Sequence, residues 1–154
     1  MLTKAKRIMV PVDGSATSNK ALAAALDLAR DNSATVRLLH CIEVGAFVAG
    51  FDYSGQAMLV MRETGEKILE QALVAATSGG VDADVKLVDR LDQRLGDAVA
   101  EAARAWPADL IVLGTHGRHG VGRVLLGSGA EQIIRLAPVP VLVIRGDPGA
   151  QGAS

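Results

Sequence analysis

Short runs of apolar residues alternate along this chain with longer segments whose apolar residues recur at helical spacing, and no other feature restricts its folding as strongly. Ile8-Met9-Val10-Pro11-Val12 is an unbroken run that ends in Asp13-Gly14-Ser15, so it reads as a buried strand followed by a turn. From Thr17 to Asp31 the residues Leu22, Ala25, Leu26 and Ala29 fall on one face of a helix. Val36 to Cys41 reads as a second strand. Gly45 to Gly55 reads as a loop that holds three of the four aromatic residues, and Gln56 to Thr77 as a long helix with Met61, Ile68, Leu69, Ala72 and Leu73 inward. The rhythm then repeats. Ala83 to Val88 is a strand diluted by Asp84 and Lys86, and Leu95, Val99, Ala102 and Ala103 mark a helix. Leu110 to Leu113 is a fully apolar strand, Ser128 to Leu136 a short helix, and Val139 to Ile144 the last strand.

Strands separated by helices require parallel crossover connections. Runs that are apolar on both faces require helices on both sides of the sheet. The expectation is an α/β fold, a doubly wound open sheet of five parallel strands. Ligands of such sheets sit beyond the carboxyl ends of the strands, where the strand order reverses. Two loops suit that position: Asp13 to Ser15, and the segment from Gly114 onward.

Composition narrows the function. With 154 residues the chain fits one domain, predicted over 1–146, with a mobile Gly/Ala/Ser-rich tail over 147–154. A net charge of -1 with 16 scattered basic residues gives no basic stripe, and one Trp, one Tyr and two Phe make no stacking platform, which argues against a nucleic-acid binder. Cys41 is the only cysteine, so neither an internal disulfide nor a cysteine metal site can form. The basic start at Lys4, Lys6 and Arg7 leads into an apolar stretch too short for a signal peptide, and no run approaches a membrane span. A cytoplasmic protein without a membrane association is expected.

Six glycines lie between Gly114 and Gly129, with Gly117, Gly120, Gly122 and Gly127 among them. Glycine allows a phosphate to approach the bare backbone, and successive N–H groups form an anion-binding concavity. Ser128 stands where a helix begins; its hydroxyl is expected to cap that helix beside N–H groups that favour phosphate oxygens. Gly122 to Ser128 lacks the lysine of a P-loop, and Leu125 breaks a dinucleotide fingerprint after Gly120-Val121-Gly122. A glycine-rich surface loop that binds nothing is the plain alternative. The loop's position, from a strand end to a helix start, weighs against it.

The spacing Gly114-x2-Gly117-x9-Gly127-Ser128 resembles the nucleotide motif of the universal stress protein family. The opening block Ile8 to Ser15, the block Ala108 to Gly117 and the closing blocks Ala130 to Arg135 and Ala137 to Ile144 are similar to that family as well, so the resemblance spans residues 6 to 145. It implies a Rossmann-like sheet of order 3-2-1-4-5, a homodimer, and ATP bound by the motif-bearing subclass. The chain departs from the family at Gly129, where a small non-glycine residue is usual, and at Gln93-Arg94-Leu95-Gly96-Asp97, where Gly-Pro is frequent.

The expected nucleotide contacts are Pro11, Val12, Asp13 and Ser15 after the first strand, Cys41 at the end of the second, and Gly114, His116, Gly117, Arg118, Gly127, Ser128 and Gly129 on the glycine loop. Asp13 has two structural roles open to it, capping the first helix or bracketing the Asp-Gly turn. A place beside the nucleoside, or holding a metal-bound water, is favoured because strand ends line the crevice. His40, His116 and His119 invite a metal site, but no carboxylate or cysteine completes a zinc set with them, so a phosphate or ribose contact is the better reading for His116. Arg118 and Arg123 supply positive charge beside the phosphates or are simply solvated. Cys41 is a small buried residue whose backbone the resemblance places near adenine. No Ser-His-Asp arrangement or carboxylate pair stands out, so the expected role is a nucleotide-dependent stress-response regulator or sensor. The alternatives are a slow ATPase or phosphotransferase using Asp13 with magnesium, and a nucleotide-free interaction module. The last strand is apolar on both faces, and pairing with its copy would cover it in a homodimer.

Overall fold

The inner strands are withdrawn from water on both faces, and the rest is arranged to cover them. In the computed structural model, which describes residues 4–42, 55–90, 92–115 and 127–146, Ile8, Met9 and Val10 of β1 (Arg7–Pro11) and Leu110, Ile111 and Val112 of β4 (Leu110–Thr115) have no solvent exposure. Between them in the chain come α1 (Ala16–Asn32), β2 (Thr35–Cys41), α2 (Gly55–Ser78), β3 (Ala83–Val88) and α3 (Leu95–Ala105), and after them α4 (Ser128–Leu136) and β5 (Val141–Arg145). The five strands form one parallel sheet in the order β3-β2-β1-β4-β5. This is the expected open, Rossmann-like arrangement with helices on both faces.

Strand alternation divides the core in two. Ile8, Val10, Val36, Leu38, Leu110 and Val112 face α1 and α2, whose Leu22, Ala25, Leu26, Leu69 and Ala72 close over them. Met9, Leu39, Ile111 and Leu113 face the other way, against Val99 and Ala103 of α3 and Ile133 of α4. The small residues on the helices let them lie close to the sheet. Gly65 of α2 is the tightest such place on the first face: a Cβ there would come within 2.7 Å of the His40 ring and 2.9 Å of a Leu87 methyl.

The edges differ. β3 carries exposed Asp84, Val85 and Lys86, and Arg37 of β2 makes two 2.8 Å hydrogen bonds to the Asp84 carboxylate. That pairing raises the Arg37 pKa above its ordinary value, against the opposing effect of partial burial. The Arg37 guanidinium also lies 4.8 Å from the Trp106 ring centre and that of Arg7 5.6 Å from it, so the one tryptophan is stacked at the amino edge of the sheet. β5 begins later than the apolar run suggests. Val139 and Pro140 precede it, and the Pro140 carbonyl accepts the Ile111 N–H at 3.0 Å. Proline, having no N–H to give, is accommodated at the strand's entrance.

Gly114 joins α1 to the sheet. A Cβ on it would meet the backbone of Thr17 in the first turn of α1, with the Thr17 carbonyl carbon only 2.8 Å away. The obstacle is main chain and has no rotamer to escape into. Gly114→Ala is therefore expected to lower stability by about 1–3 kcal/mol, the usual cost of overpacking, read as a shift of the urea midpoint with an unchanged slope.

Candidate functional site

β1 and β4 are paired only at Ile8–Leu110 and Met9–Ile111, whereas β1 and β2 remain in register through Pro11–Leu39. Above Met9 and Ile111 the two central strands therefore continue without a ladder between them, and a crevice of ≈ 310 Å³ opens at their carboxyl ends. Its size is at the lower end of that found for small-molecule sites.

One wall is the turn from β1 into α1. Gly14 has φ 83°, a left-handed conformation suited to glycine, and a Cβ there would also crowd Ile68 of α2 at 3.3 Å. The Asp13 carboxylate brackets the turn by accepting the Ser15 N–H at Oδ1, 2.9 Å. Capping falls to Ser15, whose Oγ accepts the Ser18 N–H at 3.2 Å, while Ser18 Oγ accepts the Asp13 N–H at 3.1 Å. Of the two structural roles open to Asp13, the turn is thus the one it fills. Its second carboxylate oxygen takes no hydrogen bond among the described residues.

The opposite wall is the start of α4. The expected cap by the Ser128 hydroxyl is not formed. The helix begins one residue earlier than that role requires, so Gly127 is the N-cap residue (φ -67°, ψ 161°) and brings no capping side chain. Ser128 already has helical backbone, from which its hydroxyl does not serve the N–H groups ahead of it. The first helical bond runs from the Glu131 N–H to the Gly127 carbonyl at 3.0 Å. The N–H groups of Ser128, Gly129 and Ala130 consequently have no partner within the helix. A Cβ on Gly127 would meet nothing within 4 Å among the described residues. Among the described residues neither packing nor backbone conformation accounts for glycine at this position, in contrast with Gly114.

These elements bring nine of the expected contacts to one crevice. Pro11, Val12, Asp13 and Ser15 line it from the β1–α1 turn, Cys41 from the end of β2, and Gly114, Gly127, Ser128 and Gly129 from the β4–α4 side. His116, Gly117 and Arg118, together with His119, Arg123 and most of the predicted 45–55 loop, lie outside the described residues, as does the tail over 147–154. Asp13 is the one carboxylate among the described lining residues, and no lysine or arginine is among them. Among the described residues, attraction for an anion there comes from the backbone N–H groups and the positive end of α4.

Of the lining residues outside the expected contacts, two stand out. Leu95, the first residue of α3, reaches the crevice across Gly129, a contact that helix periodicity alone does not predict. His40 also lines it. Its Nδ1 lies 2.7 Å from the Val12 carbonyl oxygen, which only accepts, so Nδ1 carries the proton. The Val12 N–H donates to the Leu39 carbonyl at 2.8 Å, so both polar backbone groups of Val12 are engaged. Thr115, at the end of β4, is 1% exposed, and its Oγ1 is the one buried side-chain polar atom without a hydrogen-bond partner among the described residues. No group of three or more metal-ligating side chains occurs among the described residues, and none of the described helices is long and apolar enough to cross a membrane.

The Universal stress protein family matches residues 4–145. A universal stress protein of Methanocaldococcus jannaschii is 34% identical over 143 residues, which cover 91% of this chain and 82% of that one. A crystal structure from the same family, of Burkholderia pseudomallei, is 32% identical, with a TM-score of 0.74 and coverage of 93% and 96% of the two chains. Two more distant structures share the fold. One is a universal stress protein of Archaeoglobus fulgidus in complex with dAMP, 22% identical, TM-score 0.66, covering 90% and 97%. The other is an Arabidopsis thaliana family protein with AMP bound, 19% identical, TM-score 0.66, covering 94% of each chain.

Proposed function

The chain belongs to the universal stress protein family, and from that premise we propose that it binds an adenine nucleotide, ATP, in the crevice above β1 and β4 and acts as a nucleotide-dependent regulator in the stress response. One observation carries the reading. The first turn of α4 faces the crevice without a capping side chain, behind a Gly127 whose missing side chain leaves open space. A helix start of this kind favours phosphate. The adenine nucleotides held by the two distant structures support the ligand class. In this reading the adenine lies between the ends of β1 and β2, beside Cys41, and the phosphates lie toward Gly127 and Ser128. Gly114 borders the same phosphates in this reading, which also expects contacts from His116, Gly117 and Arg118, outside the described residues. A magnesium ion accompanying them would find a hard oxygen donor in the second carboxylate oxygen of Asp13.

Calorimetric titration with ATP and AMP, with mass spectrometry of small molecules released from the purified protein, tests this directly. Gly127→Val is expected to weaken ATP binding at least about tenfold while changing stability by no more than about 1 kcal/mol, the scale of a helix-cap change. Unaltered affinity in that variant would mean that the phosphates lie elsewhere.

The free oxygen of Asp13 also supports a second reading, slow hydrolysis of ATP with a metal ion. Its signature is a metal-dependent steady-state turnover near ~1 s⁻¹ that Asp13→Ala abolishes. A regulator without turnover is expected to show neither.

We propose further that β5 pairs two copies of the chain. It is hydrogen-bonded to β4 alone in the sheet order, and Val141 to Ile144 are all half-exposed although apolar on both faces. Exposed Ile134 and Leu136 lie just before it in the chain. An apolar sheet edge of this kind is usually covered, and a twofold contact covers it with itself. Light scattering is expected to give a dimer mass at micromolar concentration. Val141→Glu is expected to shift it to the monomer with an unchanged circular dichroism spectrum, and a monomer mass for the unmodified protein would remove the dimer.

A further inference from the structure

The starts of α3 and α4 are interlocked beside the crevice. Gly96 of α3 meets Gln132 of α4 almost backbone to backbone: a Cβ on Gly96 would lie 2.8 Å from the Gln132 carbonyl carbon and 2.9 Å from its oxygen. The Gln132 side chain turns back, and its Oε1 accepts the Gly96 N–H at 3.0 Å. It thereby serves an N–H at the start of α3 that the Arg94 N-cap, which makes no side-chain cap bond, leaves unserved. The two first turns are therefore held in one relative position.

Leu95 lies within this clamp. It is half-buried, packs against the core between the sheet and α3–α4, and lines the crevice. Its Cδ2 occupies the place where a side chain on residue 129 would begin, 2.6 Å from a Cβ built on Gly129. Gly129 is the second residue of α4, and its N–H is one of the three without a partner in the helix. A side chain at 129 must displace the leucine methyl. Retreat of α3 from α4 would break the hydrogen bond from the Gly96 N–H to Gln132 Oε1. A leucine side chain can turn about its own bonds, and the unfilled space it already borders is the crevice.

We propose that Leu95 is a positioning and specificity-determining residue for the phosphate end of the crevice, and that Gly129 is its steric counterpart. With glycine at 129 the leucine lies over the helix start as an apolar wall that keeps water from one side of the three N–H groups. With any larger residue there it projects into the space meant for phosphate. The inference rests on the nucleotide-binding reading above.

A double-mutant cycle isolates the pair. ATP, AMP and adenosine are titrated calorimetrically into the unmodified protein, Gly129→Ala, Leu95→Ala and the double variant, with thermal unfolding as the check on folding. Gly129→Ala is expected to lose about tenfold or more in ATP and AMP affinity, and the double variant to return to within about threefold of Leu95→Ala. Adenosine, which has no phosphate, is expected to bind all four proteins within about twofold. Leu95→Phe, which enlarges the wall while keeping Gly129, is expected to reproduce the phosphate-specific loss and so tests the same idea without a change in α4. A double variant as weak as Gly129→Ala, an equal loss for adenosine, or a Gly129→Ala variant that binds as the unmodified protein does would overturn the pairing and leave nucleotide binding intact. No binding of ATP or AMP by the unmodified protein would overturn the nucleotide reading, and this inference with it.

Discussion

The brief pairing of β1 with β4 governs the architecture above it. Ile8 to Val10 of the one and Leu110 to Val112 of the other are completely buried, as are Val36, Leu38 and Leu39 of β2, so both strands must lie inside the sheet with helices on both faces. Yet they share a ladder only at their amino ends. The chain leaves β1 toward α1 on one face and leaves β4 toward α4 on the other. Two helices therefore start on opposite sides of the same gap. The crevice is a consequence of how a parallel sheet must be wound, and the chain's individuality lies in the residues that line it.

Those residues show that the fold itself constrains the glycines of one motif unequally. Gly114 is needed because another piece of the protein's backbone comes too close. Gly127 meets no such obstacle among the described residues. Gly129 stands between these cases, since its neighbour is the flexible end of a leucine. The substitutions at these sites consequently separate stability from binding, which equal treatment of the motif's glycines would not do.

Much of the fold was legible in the sequence because burial on both faces leaves continuous apolar runs, as in Ile8 to Val12 and Leu110 to Leu113. β3 was fainter because an edge strand keeps Asp84 and Lys86 in water. The start of β5 was displaced because Val139 is as apolar as the strand it precedes. At the site, the serine-after-glycine pattern located the start of α4 but assigned the cap to Ser128. Local sequence does not reveal that Gly127 takes the half-in position. Leu95 and His40 were not recognised as crevice residues, since their place there depends on contacts between elements far apart in the chain. The partner of Gly129 lies 34 positions before it, beyond any local pattern.

The stack of Arg7 and Arg37 on Trp106 bears on how the molecule is observed. The chain's only indole sits at the amino edge of the sheet, and the crevice opens at the other, so the length of β4, about 20 Å for six residues, separates them. Its emission follows the guanidinium groups of β1 and β2 that hold it. Intrinsic fluorescence is therefore a clean reporter of cooperative loss of the sheet. Trp106 itself lies far from a ligand above the strands, so its emission is not the probe of occupancy, which is better followed by heat, mass or a label placed on the opposite rim.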